Sequence, residues 1–72
     1  LDLNPEDVEA IIGMAQTFES NEKWRKAEKF YKELIYLEPE NASHYRGIAR
    51  VLLQQGKQDQ AQRYFEKSKK FE

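Results

Sequence analysis

The stretch Ile11-Ile12-Gly13-Met14-Ala15-Gln16-Thr17-Phe18 returns 34 residues later as Tyr45-Arg46-Gly47-Ile48-Ala49-Arg50-Val51-Leu52, with the glycine and the alanine kept. The same offset lays Leu3, Pro5 and Glu6 on Leu37, Pro39 and Glu40, and Lys23 and Ala27 on Lys57 and Ala61. Between these identities, size and polarity agree: Met14 meets Ile48, Phe18 meets Leu52, and Tyr31 meets Phe65. A fixed period of this kind means one supersecondary unit written twice, stacked so that each copy buries the apolar face of the other.

Within a unit the apolar residues keep helical spacing. Val8, Ile11, Ala15 and Phe18, with Met14 beside them, form one stripe, and Tyr45, Ile48, Ala49 and Leu52 repeat it. Trp24, Ala27, Tyr31 and Leu34 form the stripe of a second helix, flanked by Phe30, Ile35 and Leu37. Asn4 before Pro5, followed by Glu6 and Asp7, is a helix start, because proline suits the first helical position and carboxylates suit the dipole. Gly56 is the expected left-handed stop of the third helix, and Asn21 the expected stop of the first. The pattern predicts helices over 6–20, 24–37, 41–54 and 58–70, joined by short turns.

The chain has 72 residues, which bounds it to one small domain or a piece of a longer repeat array. Cys 0 excludes a disulfide, a thiolate zinc site and a thiol nucleophile. The formal charge of -1 gives no general attraction to polyanions. The longest apolar stretch, Ala10 to Ala15, is broken by Gly13 and falls far short of the roughly 20 residues a membrane span needs. The first residue is Leu1 and no signal-peptide pattern follows, so the chain reads as an excised or processed piece whose compartment stays open, leaning to the cytoplasm.

Period and landmarks together resemble the tetratricopeptide repeat family. In the first unit the landmarks fall on Ile11, Met14, Ala15, Phe18, Ala27, Tyr31 and Pro39, and in the second on Tyr45, Ile48, Ala49, Leu52, Ala61 and Phe65. Pro5 looks like the closing proline of a preceding unit. The resemblance implies an all-α domain over 1–72: a tail of a preceding unit at 1–7, repeat one at 8–41 and repeat two at 42–72. It further implies two antiparallel helix-turn-helix hairpins in a right-handed superhelical stack. Ala15 and Ala49 stand where the family usually has glycine, a change small enough to keep close helix contact. Gln58, Ser68 and Lys69 replace Trp24, Leu34 and Ile35 of the first unit, which fits either a polar end cap, the favoured reading, or a repeat cut from its neighbour.

No residue set carries catalysis. Ser20, Ser43 and Ser68 lack a glycine elbow, no phosphate-cradling glycine loop is present, and His44 is the sole histidine, with Glu40 one turn away on what reads as an exposed helix start. Metal ligands do not cluster, so neither metal nor cofactor is expected. The aromatics Trp24, Phe30, Tyr31, Tyr45, Tyr64 and Phe65 sit at helical spacing and read as core, not as a base-stacking platform. Lys67, Lys69 and Lys70 make only a short basic run beside Glu66 and Glu72, which disfavours nucleic acid as a partner.

The resemblance places a concave peptide groove on the first helix of each unit. The matching positions are Ile12, Gln16 and Glu19 in one unit and Arg46, Arg50 and Leu53 in the next, each set spaced i, i+4, i+7 along one helix face. Arg46 and Arg50, one turn apart, suit an acidic peptide because a planar guanidinium pairs with a carboxylate through two parallel hydrogen bonds. Ile12, Gln16 and Gly47 stand where the family's chaperone-tail clamp has lysine and asparagine, so that particular ligand is disfavoured. The alternative is end-to-end self-association. Residues 1–22 hold six acids (Asp2, Glu6, Asp7, Glu9, Glu19, Glu22) and no base, or -6, while the other 50 residues hold all 12 bases against seven acids, or +5.

Overall fold

The computed structural model describes residues 5–72, with side chains from Val8 onward, as four helices: α1 Pro5–Ser20, α2 Trp24–Leu37, α3 Ala42–Gln54 and α4 Gln58–Lys70. Among the described residues there is no strand. The helical period therefore predicts every element to within one residue at each end. Expectations attached to Asp2, Leu3 and Asn4, and to the side chains of Pro5, Glu6 and Asp7, lie outside the described residues.

Both hairpin turns are built alike. After α3, Gly56 takes φ +79°, and the Gly56 and Lys57 amides donate to the Leu53 and Leu52 carbonyls at 3.0 and 2.9 Å. After α1, the Glu22 and Lys23 amides donate to the Glu19 and Phe18 carbonyls at 3.1 and 2.8 Å, which is the same paired closure of a helix end. The left-handed residue here is Glu22, at φ 61°, and not Asn21 as the sequence suggests. The reason is the offset itself: position 22 corresponds to position 56, so the turn geometry is fixed by the hairpin and imposed on whatever residue stands there. Asn21 instead donates its amide to the Thr17 carbonyl at 3.0 Å, one step inside the turn.

Between the hairpins Asn41 caps α3, its side chain accepting from the Ser43 amide at 2.9 Å. Each helix packs against the next in the chain: α1 on α2, α2 on α3, and α3 on α4. Ala15, Ala27, Leu34, Ile48, Ala49, Val51, Leu52 and Ala61 are all but fully buried, the alanines letting the helix axes approach. Tyr31 and Tyr45 are buried too, while Trp24, Phe30, Tyr64 and Phe65 lie half-buried against the same core. Phe18 stacks on Phe30 with ring centroids 5.5 Å apart, and Tyr45 stacks on Tyr64 at 6.2 Å.

The joint between hairpins rests on Gly47. A Cβ added there would lie 2.7 Å from Cζ and 2.8 Å from Cδ1 of Tyr31, and closer still to its Cε1, so the glycine makes room for the ring. On α4, Gln58 and Lys69 are exposed, as a polar outer face requires. Ser68 is a correction to that expectation. It is buried, and its hydroxyl donates to the Phe65 carbonyl at 2.6 Å, a local bond that satisfies the only polar atom it carries inward.

Candidate functional site

A cleft of about 370 Å³ opens between α1 and α3. It is lined by Ile12 and Gln16 of α1, Tyr31 of α2, Asn41 of the linker, and Ser43, His44, Arg46 and Arg50 of α3. Four of the six residues predicted for the groove thus share one concavity. Glu19 lies beside it, joined to Arg50, while Leu53 is exposed further along α3 and takes no part in the lining.

Geometry changes what the two arginines can do. Arg50 is gripped from two points by Glu19, Nε at 3.0 Å from Oε2 and Nη2 at 3.3 Å from Oε1. Tyr31 adds a third bond, its hydroxyl donating to Glu19 Oε1 at 2.7 Å. One carboxylate therefore joins α1, α2 and α3. Burial alone would raise the Glu19 carboxyl, but hydrogen bonds from Arg50 and Tyr31, with the Arg50 charge, outweigh it and hold the group below its usual range. Burial, then the bond to Glu19, pushes the Tyr31 hydroxyl up to about 12. The bond to Glu19 likewise raises Arg50, against the opposing effect of its burial.

Arg46 is held more loosely. Its Nη1 lies 2.8 Å from Oε1 of Glu72, whose side chain is 58% exposed. An ion pair this open to water contributes little, on the order of 0–1 kcal/mol, and yields to a competing carboxylate. Arg46 also retains most of its five N–H donors, since only Nη1 is engaged.

His44 departs from expectation. It is buried, not exposed, and its Nε2 lies 2.7 Å from Oε1 of Glu38 in the linker, with no bond to Glu40. Glu38 also accepts from Asn41 Nδ2 at 3.2 Å, and the Tyr45 hydroxyl donates to the Pro39 carbonyl. The linker is thus tied down from three sides, and His44 is drawn inward because α2 covers the face of α3 on which it sits. Sequence spacing counts one helical turn back to Glu40, but Glu40 lies in the turn between helices, where helical spacing does not apply.

Tyr31, Asn41, Ser43 and His44 also line the cleft and were not among the predicted groove residues. For Tyr31 a signal existed. A tyrosine where the second unit has Phe65 carries a hydroxyl that needs a partner, and the partner is Glu19. A second, more open cleft of about 510 Å³ is bordered by Lys23, Trp24, Arg25, Lys26 and Gln55, and it brings no acid, nucleophile or ligand cluster together.

Among the described residues no group of three or more His, Cys, Asp or Glu is placed to hold a metal ion, and no helix is long and apolar enough to cross a membrane. Every buried side-chain nitrogen and oxygen among them has a hydrogen-bond partner. Residues 45–72, which take in most of α3 and all of α4, match the family model for the tetratricopeptide repeat. Neither the curated proteins nor the solved structures compared with the chain give a match.

Proposed function

From a chain whose second hairpin is a tetratricopeptide repeat and whose first hairpin repeats it 34 residues earlier, we propose a non-catalytic interaction module that binds an acidic peptide segment of a partner protein along the α1–α3 cleft. Tetratricopeptide repeats are in general modules of protein–protein interaction, and the acidic specificity is a finer reading of this cleft. What supports it is Arg46, an accessible guanidinium on the cleft wall whose present partner is a solvent-exposed carboxylate. A peptide carboxylate can replace Glu72 there and keep the charge-assisted bond. Ile12 offers an aliphatic contact beside it, and Gln16 an amide that reads peptide backbone or a carboxamide. Arg50 serves chiefly to hold Glu19, so that the wall of the cleft is rigid before a ligand arrives.

The test is selection from a random peptide library on immobilised protein, followed by titration with the selected peptides. Enrichment of Asp and Glu is expected, with binding weakened by salt and lost in Arg46→Glu, while the helical spectrum of that variant is unchanged. Selection of neutral or basic peptides, or binding indifferent to Arg46→Glu, would overturn the reading.

A further inference from the structure

Gly13 and Gly47 are equivalent by the offset of 34, yet their surroundings differ. Gly47 is roofed by the Tyr31 ring, whereas a Cβ at Gly13 would meet nothing within 4 Å. The difference extends along the helix. His44, Ile48 and Val51 are buried, and their counterparts Ala10, Met14 and Thr17 are exposed, Met14 to 45% where Ile48 is at 0%. On α3 that face is covered by α2. On α1 the same face lies open.

The covering element also has its counterpart. Phe65 occupies the position of Tyr31, but it is only half-buried where Tyr31 is 4% exposed, and among the described residues no helix packs over it as α3 packs over Tyr31. The chain therefore presents a ring without its glycine at one end and a glycine without its ring at the other. Charge agrees with joining them. The described part of α1 carries no base and two acids, Glu9 and the Arg50-paired Glu19, while the last turn of α4 carries Lys67, Lys69 and Lys70.

We propose that the Ala10–Gly13–Met14–Thr17 face of α1 is a docking surface for α4 of a second copy of this chain, with Phe65 of that copy seated on Gly13 as Tyr31 is seated on Gly47. The contact continues the α2–α3 interface already present inside the chain and leaves the α1–α3 cleft free, so it stands or falls independently of the peptide reading. It is weaker than its template. Thr17 replaces Val51 on the receiving side, Lys69 replaces Ile35 on the entering side, and Phe65 brings no hydroxyl to bond a carboxylate. Because the contact is heterologous, each copy retains an open end and growth continues beyond a dimer.

The experiment is sedimentation equilibrium over about 10 µM to about 1 mM protein, at low and at high salt, on the wild type and Gly13→Leu. A Cβ at Gly13 meets nothing within 4 Å, so the variant is expected to keep its helical spectrum and to melt no lower than the wild type, while its side chain fills the space the incoming ring requires. The wild type is expected to gain mass with concentration, with association weakened by about tenfold or more as salt rises to about 1 M and the Debye length falls to about 3 Å. Gly13→Leu is expected to remain monomeric under all these conditions. A wild type that stays monomeric throughout overturns the proposal and leaves the face to a partner of another kind. Association unchanged in Gly13→Leu overturns it too, as does unfolding of that variant, since an open site cannot be overfilled.

Discussion

Replacing either helical glycine by alanine makes the same chemical change in the same kind of element, and the structure assigns the two changes opposite signs. In an exposed helix interior, Gly→Ala stabilises by about 0.5–1 kcal/mol, because glycine loses more backbone freedom on folding. Gly13 should show that gain undiluted, since its added methyl meets nothing. At Gly47 the methyl enters the Tyr31 ring, which is buried and anchored through its hydroxyl to Glu19. Overpacking of this kind costs about 1–3 kcal/mol. A ring that shifts to relieve it also pulls its hydroxyl from Glu19, now 2.7 Å away. A hydrogen bond to a charged group contributes about 1.5–3 kcal/mol, with the lower figure apt for a half-buried carboxylate. Setting the propensity gain of about 1 kcal/mol against these costs leaves Gly47→Ala less stable by about 2 kcal/mol. In a domain of this size each kcal/mol moves the melting temperature by about 4–8 °C. Thermal unfolding of dilute protein followed by circular dichroism should therefore rise by about 4 °C for Gly13→Ala and fall by about 12 °C for Gly47→Ala. In a Tyr31→Ala background the penalty at Gly47 should disappear. Equal shifts for the two single variants would show that Tyr31 does not rest on Gly47, and the reasoning for the joint between hairpins would fail.

Glu22→Gly should raise stability by about 0.5–1 kcal/mol in chemical denaturation, because the residue holds φ 61° in a turn whose counterpart is already Gly56; a loss instead would mean that the Glu22 side chain contributes more than its backbone costs. Glu19 and Glu28 both sit below their ordinary value of 4.5, Glu28 because hydrogen bonds from Gln55 and Lys32 outweigh its burial. Depressed carboxyl groups of this kind bind fewer protons folded than unfolded, so their stabilisation is complete above about pH 5 and is lost as pH falls through their folded values. Glu19→Gln should accordingly flatten the acid limb of a stability–pH curve and lower the plateau at neutral pH; an acid limb of unchanged steepness would count against the network.

The sequence displays the four helices because their pattern is local: the stripe, the alanines and the turn glycine each act within one turn or one contact. It also displays the pairing of the hairpins, since an offset that lays Gly13 on Gly47 and Ala27 on Ala61 can only come from repeated packing. What it hides is which copy of a repeated feature is satisfied. Gly13 and Gly47 are the same letter, and only the chain's three-dimensional order makes one covered and the other open. The candidate groove was legible to the level of helix faces, which is how Ile12, Gln16, Arg46 and Arg50 were found together. Partners of the arginines were not, because Glu19 and Arg50 are 31 positions apart and Arg46 and Glu72 are 26, distances over which no helical rule applies. The burial of His44 is hidden from sequence for a related reason: it depends on α2 lying across α3, a property of the neighbouring hairpin.

Because each helix packs chiefly on its sequence neighbours, α2 and α3 each carry two large interfaces while α1 and α4 carry one. Loss of an outer helix then breaks one interface, and loss of an inner helix breaks two. Amide protons should report this as a gradient, exchanging fastest at the two ends of the stack and slowest in α2 and α3, with the Glu19 carboxylate acting as the stitch that slows α1 relative to α4. A chain organised in this way opens from its edges inward, so the surfaces that first become available to a protease, or to another helix, are those of α4.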